Sequence, residues 1–238
     1  MSNKDQNKNK FITEFDKIAD SYYEEHKKNI AITGEDPDFF SEYKIKDLRD
    51  FVNNSKNSSK DIFDFGCGIG NSLKYFRDYF PDSNLSCGDV SYRSIEIAKN
   101  RNPGLEQFIQ IDNAIPVSSE SIDIVFSACV FHHIKHEEHS KWLTEISRIT
   151  RKGGLLVIYE HNPLNPLTVN AVNKCPIDVN AKLIRALTMK NLIIKNGWKD
   201  VTIEYKLFFP SYLKFLRPLE KYLKKFFLGA QWRLIAKK

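Results

Sequence analysis

The run Asp64-Phe65-Gly66-Cys67-Gly68-Ile69-Gly70-Asn71 follows the apolar pair Ile62-Phe63 and carries the strongest chemical signal in the chain. Glycines at alternating positions let a backbone turn tightly and approach a ligand that side chains would hold off. The chemistry implied is the binding of a nucleotide-like cofactor. In the dinucleotide fingerprint G-x-G-x-x-G the last glycine lets the helix close on the strand, and the helix N-terminus faces a pyrophosphate. Here the third glycine comes one residue early, Asn71 stands where it is expected, and an acid, Asp64, leads the turn. Asp89 ends the next apolar run, in Cys87-Gly88-Asp89-Val90-Ser91. A carboxylate there can accept both hydrogen bonds of a ribose diol. The alternative is that Asp89 or Ser91 caps a helix starting at Tyr92, but capping needs only one of them.

Other reactive side chains cluster further on. His132, His133, His136 and His139 invite a metal, yet His136-Glu137-Glu138-His139 is not H-E-x-x-H, since its second histidine comes one residue early for an i, i+4 pair. No metal is expected. Cys67, Cys87, Cys129 and Cys175 are scattered without a C-x-x-C pair and read as packed thiols. Glu160-His161-Asn162-Pro163-Leu164-Asn165-Pro166 is a polar loop stiffened by proline. It leaves a strand at its carboxyl end, where open α/β sheets bind ligands, so His161, Asn162 and Asn165 are expected to touch substrate.

The elements that position these residues alternate. Strands are expected at Asp61–Phe65, Asn84–Asp89, Gln107–Ile111, Ile122–Ser127 and Gly154–Glu160, with helices between them at Asn71–Tyr79, Tyr92–Asn100 and Glu137–Thr150. This is how a parallel sheet covered by helices reads. A helix from Asn180 to Asn196 follows, then β-rich runs at Val201–Phe208 and Gly229–Ala236 around a helix from Ser211 to Phe227. Upstream, Phe11 to Tyr23 and Asp38 to Val52 show helical spacing. The chain thus divides into a helical cover, residues 1–60, and a core domain, residues 61–238, as one compact unit.

The pattern D-x-G-x-G-x-G resembles the first motif of class I S-adenosylmethionine-dependent methyltransferases, and the likeness extends from about Phe11 to the end. It implies an α/β fold with a seven-stranded, mostly parallel, Rossmann-like sheet whose seventh strand runs antiparallel beside the fifth, under an N-terminal helical cover. It also implies S-adenosyl-L-methionine as cofactor, bound by Asp64, Gly66, Gly68, Gly70, Asp89 and Val90. Asp112 would receive the adenine amino group, and Asn113 would offer its backbone N–H to the ring. The fourth strand would bring Ser127 near the methionine end, Tyr22 would close over that end, and His132 or His133 would act as a general base or substrate contact. The expected function is methyl transfer to a small molecule, with Asn162 and Asn165 suggesting a sugar or glycan intermediate. Two alternatives stand beside it. A nicotinamide-dependent oxidoreductase would want glycine at position 71 and a Tyr-x-x-x-Lys group, and a non-enzymatic module would bind a partner through a basic C-terminal helix.

At 238 residues, 42% hydrophobic and 28% charged, the chain can bury a substantial core. Its start is polar and Lys/Asn-rich, without the apolar segment of a secretory signal, so a cytoplasmic protein is expected. Much of the formal charge of +6 lies near the C-terminus. That excess reads as a solvated helix face and no nucleic-acid partner is expected. The aromatic and cationic stretch from Phe208 to Phe227 is expected to pack on the sheet, ahead of roofing a substrate pocket or lying on an anionic membrane.

Overall fold

The computed structural model describes residues 15–52, 60–104 and 106–238. Residues 15–18 are helical and lead into α1 (Tyr22–Ile30) and α2 (Pro37–Val52). The expected helix start at Phe11 and most of the loop before Lys60 lie outside the described residues. From Asp61 the chain runs β1 (Asp61–Phe65), α3 (Leu73–Tyr79), β2 (Asn84–Asp89), α4 (Tyr92–Arg101), β3 (Gln107–Gln110), β4 (Ile122–Ala128), α5 (His139–Ile149) and β5 (Thr150–His161). Then come α6 (Pro166–Lys174), α7 (Ala186–Lys195), β6 (Lys199–Lys206), a 3₁₀ stretch Ser211–Leu219, α8 (Glu220–Leu223) and β7 (Gln231–Lys237).

The seven strands lie in the order β3-β2-β1-β4-β5-β7-β6, with β1 to β5 parallel and β7 antiparallel to both β5 and β6. This is the sheet expected from the resemblance. Strands buried on both faces read as continuous apolar runs, as Ile62-Phe63 and Ile124-Val125-Phe126 do. Because β2 and β4 flank β1 on opposite sides, the connections after β1 and β4 leave in opposite directions and open a crevice at the strands' carboxyl ends. The glycine turn and the His132-His133 pair both sit at that edge.

One core lies on the α5 and α7 face, built around Phe65, Phe131, Trp142, Ile146, Met189 and Trp232. The other includes Leu73, Phe76, Phe126, Val157 and Tyr159, and α2 joins it through the fully buried Ile45 and Leu48. The cover is also tied to the sheet by charge. Asp47 on α2 receives Arg233 of β7 at 2.7 Å, Lys206 of β6 at 2.8 Å and the Tyr159 hydroxyl at 2.7 Å. The two cations outweigh the burial that would raise the Asp47 pKa, and hold it low.

Three elements differ from expectation. Helix α7 starts at Ala186 instead of Asn180. The stretch read as a loop at Asn165-Pro166 opens α6, with the Asn165 side chain accepting from Thr168 N at 3.0 Å and proline at the first helical position. The Ser211–Phe227 helix is replaced by the 3₁₀ stretch and the four-residue α8, because Leu213 leaves helical geometry and Pro218 lacks an N–H to donate. Its apolar stripe therefore does not form a packed face. Tyr212, Phe215 and Tyr222 are more than two-thirds exposed, among exposed Lys214, Lys221 and Lys225.

Candidate active site

The turn after β1 is held by two hydrogen bonds to one carbonyl, from Gly66 N and Cys67 N to Gly88 O, at 2.7 and 3.1 Å. Gly66 has φ +82, and a Cβ there would stand 2.4 Å from Val130 Cγ2. The chain needs glycine there to turn under the β4 exit. Gly68, at φ +52, is different: a Cβ would meet nothing within 4 Å. Its open side faces a cavity, and its N–H donates to Asp89 Oδ2 at 2.8 Å while Ser91 N donates to Asp89 Oδ1 at 2.9 Å. Ser91 caps α4, accepting from Ser94 N at 3.0 Å. Capping thus falls to Ser91, and the Asp89 carboxylate belongs to the glycine turn and the cavity wall.

That cavity has a volume of about 860 Å³. Asp64, Gly66, Gly68, Asp89, Val90, Asp112 and Asn113 line one end. Phe15, Ile18, Tyr22, Ile30, Phe40 and Ile177 add apolar surface to its wall, and Lys44, His133, His161, Asp178 and Gln231 add polar groups. Asp64 is 3% exposed, and no hydrogen bond to its carboxylate is formed among the described residues. Burial and the neighbouring Asp89 push its pKa up to about 7, against the opposing pull of Lys44. Burial also raises Asp89, partly offset by the N–H groups of Ser91, Gly68 and Val90. The Tyr22 phenol is raised as well, mainly by burial.

Opposite the turn, the β4 exit forms a compact polar cluster. Glu160 at the end of β5 accepts Val130 N and Phe131 N on Oε1, at 2.9 and 2.7 Å, and His132 Nδ1 on Oε2 at 2.6 Å. Asp178, from the segment after α6, puts one oxygen 3.4 Å from both His132 Nε2 and His133 Nε2. Burial would lower the His132 pKa, but the two carboxylates outweigh it and raise it well above the usual value. Burial beside His132 drops His133 to about 3 and His161 to about 4. Asp178 is held down to about 2, because His132, His161 and His133 overcome its desolvation. His136 and His139 stay out of this group: His136 is exposed, and His139 donates from Nε2 to Phe131 O and Ile134 O.

A family model described as a methyltransferase domain matches residues 63–158, which hold the glycine turn, Asp89, Asp112 and the β4 exit. That match and the sheet order support a class I S-adenosylmethionine-dependent methyltransferase. It is 28% identical over 124 residues to a thiol S-methyltransferase of Homo sapiens, across 49% of this chain and 48% of that protein. It is 25% identical over 182 residues to a phthiotriol/phenolphthiotriol dimycocerosates methyltransferase of Mycobacterium ulcerans, across 70% of this chain and 64% of that one. The chain spans about half the length of most of the curated relatives it matches. A solved S-adenosylmethionine-dependent methyltransferase of Thermotoga maritima shares the fold, with a TM-score of 0.66 at 15% identity over 96% of this chain and 99% of that one.

The cavity suits S-adenosylmethionine on its own chemistry. Gly68 leaves room for close approach, Asp89 presents a carboxylate at a strand end, and the Asp64 carboxylate, on the cavity wall, suits a cationic amino group. Of the residues expected to bind cofactor or substrate, Tyr22, Asp64, Gly66, Gly68, Asp89, Val90, Asp112, Asn113, His132, His133 and His161 line the cavity. Four do not. Gly70 is a packing position, where a Cβ would strike Leu73 and Asn102. Ser127 is fully buried within β4, while the next residues, Ala128 and Cys129, line the cavity. Asn162 donates its amide to Phe227 O and Gly229 O, both at 2.7 Å, and Asn165 donates to Leu228 O besides capping α6. These two asparagines staple the turn before β7. Asn162→Ala is therefore expected to lower unfolding stability by about 1–3 kcal/mol in urea titrations; a variant as stable as wild type would show that Asn162 does not hold this turn and return it to the expected substrate contact.

The sequence reading did not single out Lys44 or Asp178 and gave Glu160 no role. A glutamate closing the apolar run Leu156-Val157-Ile158-Tyr159 was the one available signal, since Lys44 and Asp178 reach the cavity from α2 and from beyond α6 only through the fold.

Proposed function

We propose that this protein transfers a methyl group from S-adenosylmethionine to a small molecule with an apolar body, whose reacting heteroatom is seated beside His133, His161 and Asp178. The observation that carries the reading is that one cavity joins the glycine turn and Asp89 to that polar cluster. When bound, the cofactor supplies a methyl on a sulfonium and its own leaving group.

The residues of this chain do the holding and the proton handling. Asp89 would take the ribose diol, Asp112 and Asn113 the adenine edge, and Asp64 the amino group. Phe15, Ile18 and Tyr22 line the cavity with largely apolar surface. Aligning an acceptor with the methyl supplies much of the acceleration in such a displacement. Where the acceptor carries a proton, His133 or His161 stands on the cavity wall to take it. The apolar wall supports an amphipathic acceptor. The support for a sugar or glycan came from Asn162 and Asn165, whose side chains are spent on backbone carbonyls outside the cavity.

Isothermal titration with S-adenosylmethionine or S-adenosylhomocysteine tests the reading. Binding at one site per chain is expected, weakened at least tenfold, about 1.4 kcal/mol, in Asp89→Ala. Absence of binding by the native chain would remove the proposal, and unchanged affinity in Asp89→Ala would overturn the ribose assignment.

A further inference from the structure

We infer that His132, His133 and Asp178 form a binding site for one divalent transition metal ion, zinc-like in its ligand preference, at the acceptor end of the cavity. The three donor atoms, His132 Nε2, His133 Nε2 and a carboxylate oxygen of Asp178, all lie within 4.8 Å of one another. Two imidazoles and a carboxylate are a ligand set of catalytic zinc sites, which leave a position open for water or substrate. The spacing fits that chemistry better than it fits hydrogen bonds. Asp178 Oδ1 stands 3.4 Å from each Nε2, long for a charge-assisted bond, which is typically about 2.7–2.9 Å. Donors about 2.0–2.1 Å from a tetrahedral ion lie about 3.3–3.4 Å apart.

A second, independent observation is the orphan nitrogen. His132 is 1% exposed, and its Nε2 has no hydrogen-bond partner of proper geometry. Its other nitrogen is fixed by Glu160 Oε2 at 2.6 Å, which turns Nε2 toward Asp178, where an ion would take the place of the Nε2 proton. A carboxylate behind the far nitrogen is the usual arrangement for a metal-bound histidine, fixing the tautomer and raising the basicity of the ligating atom. Glu160 is itself locked by two backbone N–H groups, so it acts as a positioning residue. No metal is expected from the spacing of the four histidines and the scattered cysteines, and the site inferred from the fold departs from that expectation. The fold replaces His136 and His139 with Asp178, contributed from 45 residues beyond His133.

His133 and Asp178 both line the cavity, so the ion's open positions face the acceptor end. The ligand it would take is an anionic oxygen or sulfur, such as an alkoxide, phenolate, carboxylate or thiolate, which narrows the acceptor class. That role rests on the methyl-transfer reading, whereas metal binding itself does not.

The test uses chelator-treated full chain, titrated with zinc chloride by calorimetry and with cobalt chloride by visible absorption. One ion per chain is expected, with a cobalt spectrum of mixed nitrogen and oxygen ligation. Asp178→Asn and His133→Ala are expected to lose at least tenfold in affinity, Glu160→Gln about 10–100-fold, and His136→Ala nothing. S-Adenosylhomocysteine titration of each variant shows that the cavity is folded. If native chain takes up no stoichiometric zinc, or takes it up equally in Asp178→Asn and His133→Ala, the proposal falls and His132 is a proton-bearing bridge between two carboxylates. Loss of S-adenosylhomocysteine binding with zinc binding intact would instead sink the cofactor reading alone.

Discussion

Glu160→Ala is expected to destabilise the fold by about 3–5 kcal/mol, the cost typical of removing one member of a buried charged pair. Glu160 is 1% exposed and its two oxygens serve three donors: Val130 N, Phe131 N and His132 Nδ1. Truncation leaves two backbone N–H groups and an imidazole without acceptors in a place water does not reach, and each such orphan is costly. Glu160→Gln should cost distinctly less, because the amide oxygen still receives the two backbone groups. Its NH₂ would then face Nδ1, favouring the tautomer that turns a proton toward Asp178. Urea unfolding of the two variants checks the ranking. An alanine variant within about 1 kcal/mol of wild type would show that the β4 exit is held by something else.

Much of the cofactor end was legible because its information is local. A strand, an acid, alternating glycines and a carboxylate at the next strand end are set by short-range geometry, and the structure brings Asp64, Gly68 and Asp89 to one wall. The acceptor end was legible only in part. His132 and His133 could be read from the strand they follow, but their partners arrive from the end of β5 and from the turn after α6. No spacing rule connects those positions. The errors were also physical. Proline around Asn165 stiffens a substrate loop and starts a helix equally well, and the choice was made by β7 arriving beside β5, whose preceding turn supplies the carbonyls that Asn162 and Asn165 bind. The C-terminal stripe had helical spacing, yet the break at Leu213 and the missing N–H of Pro218 leave it as short turns with its aromatic rings in solvent. Lys214, Lys221 and Lys225 of the same stretch are exposed too, and the Lys221 ammonium lies 4.9 Å from the Tyr222 ring centroid.

Cofactor affinity is expected to fall about tenfold for each pH unit below 7 and to level off above it, from the titration of a single carboxyl. In the free protein burial and Asp89 hold the Asp64 pKa at about 7, so below that pH the group is protonated and neutral. A cationic amino group on the ligand needs the ionised form, and binding below pH 7 must therefore expel a proton. The sign follows from that requirement: acid competes with the ligand, and the penalty grows as pH falls. Of the other groups on the cavity wall, His26 and His161 are lowered to about 4 and His133 to about 3, while burial raises Asp89 as it does Asp64, so the Asp64→Asn variant is needed to separate the two carboxyls. The same shift acts on folding in the opposite sense. A carboxyl whose pKa is raised by folding favours the folded state most at low pH, and that contribution is lost as pH rises from about 4 to 7. Calorimetry between pH 5.5 and 7.5 in buffers of different ionisation enthalpy reads both the affinity slope and the proton released. Asp64→Asn should bind more weakly at pH 7.5 and show a flat profile through this range. A slope that survives in Asp64→Asn would assign the proton to another group and remove Asp64 from the amino-group site.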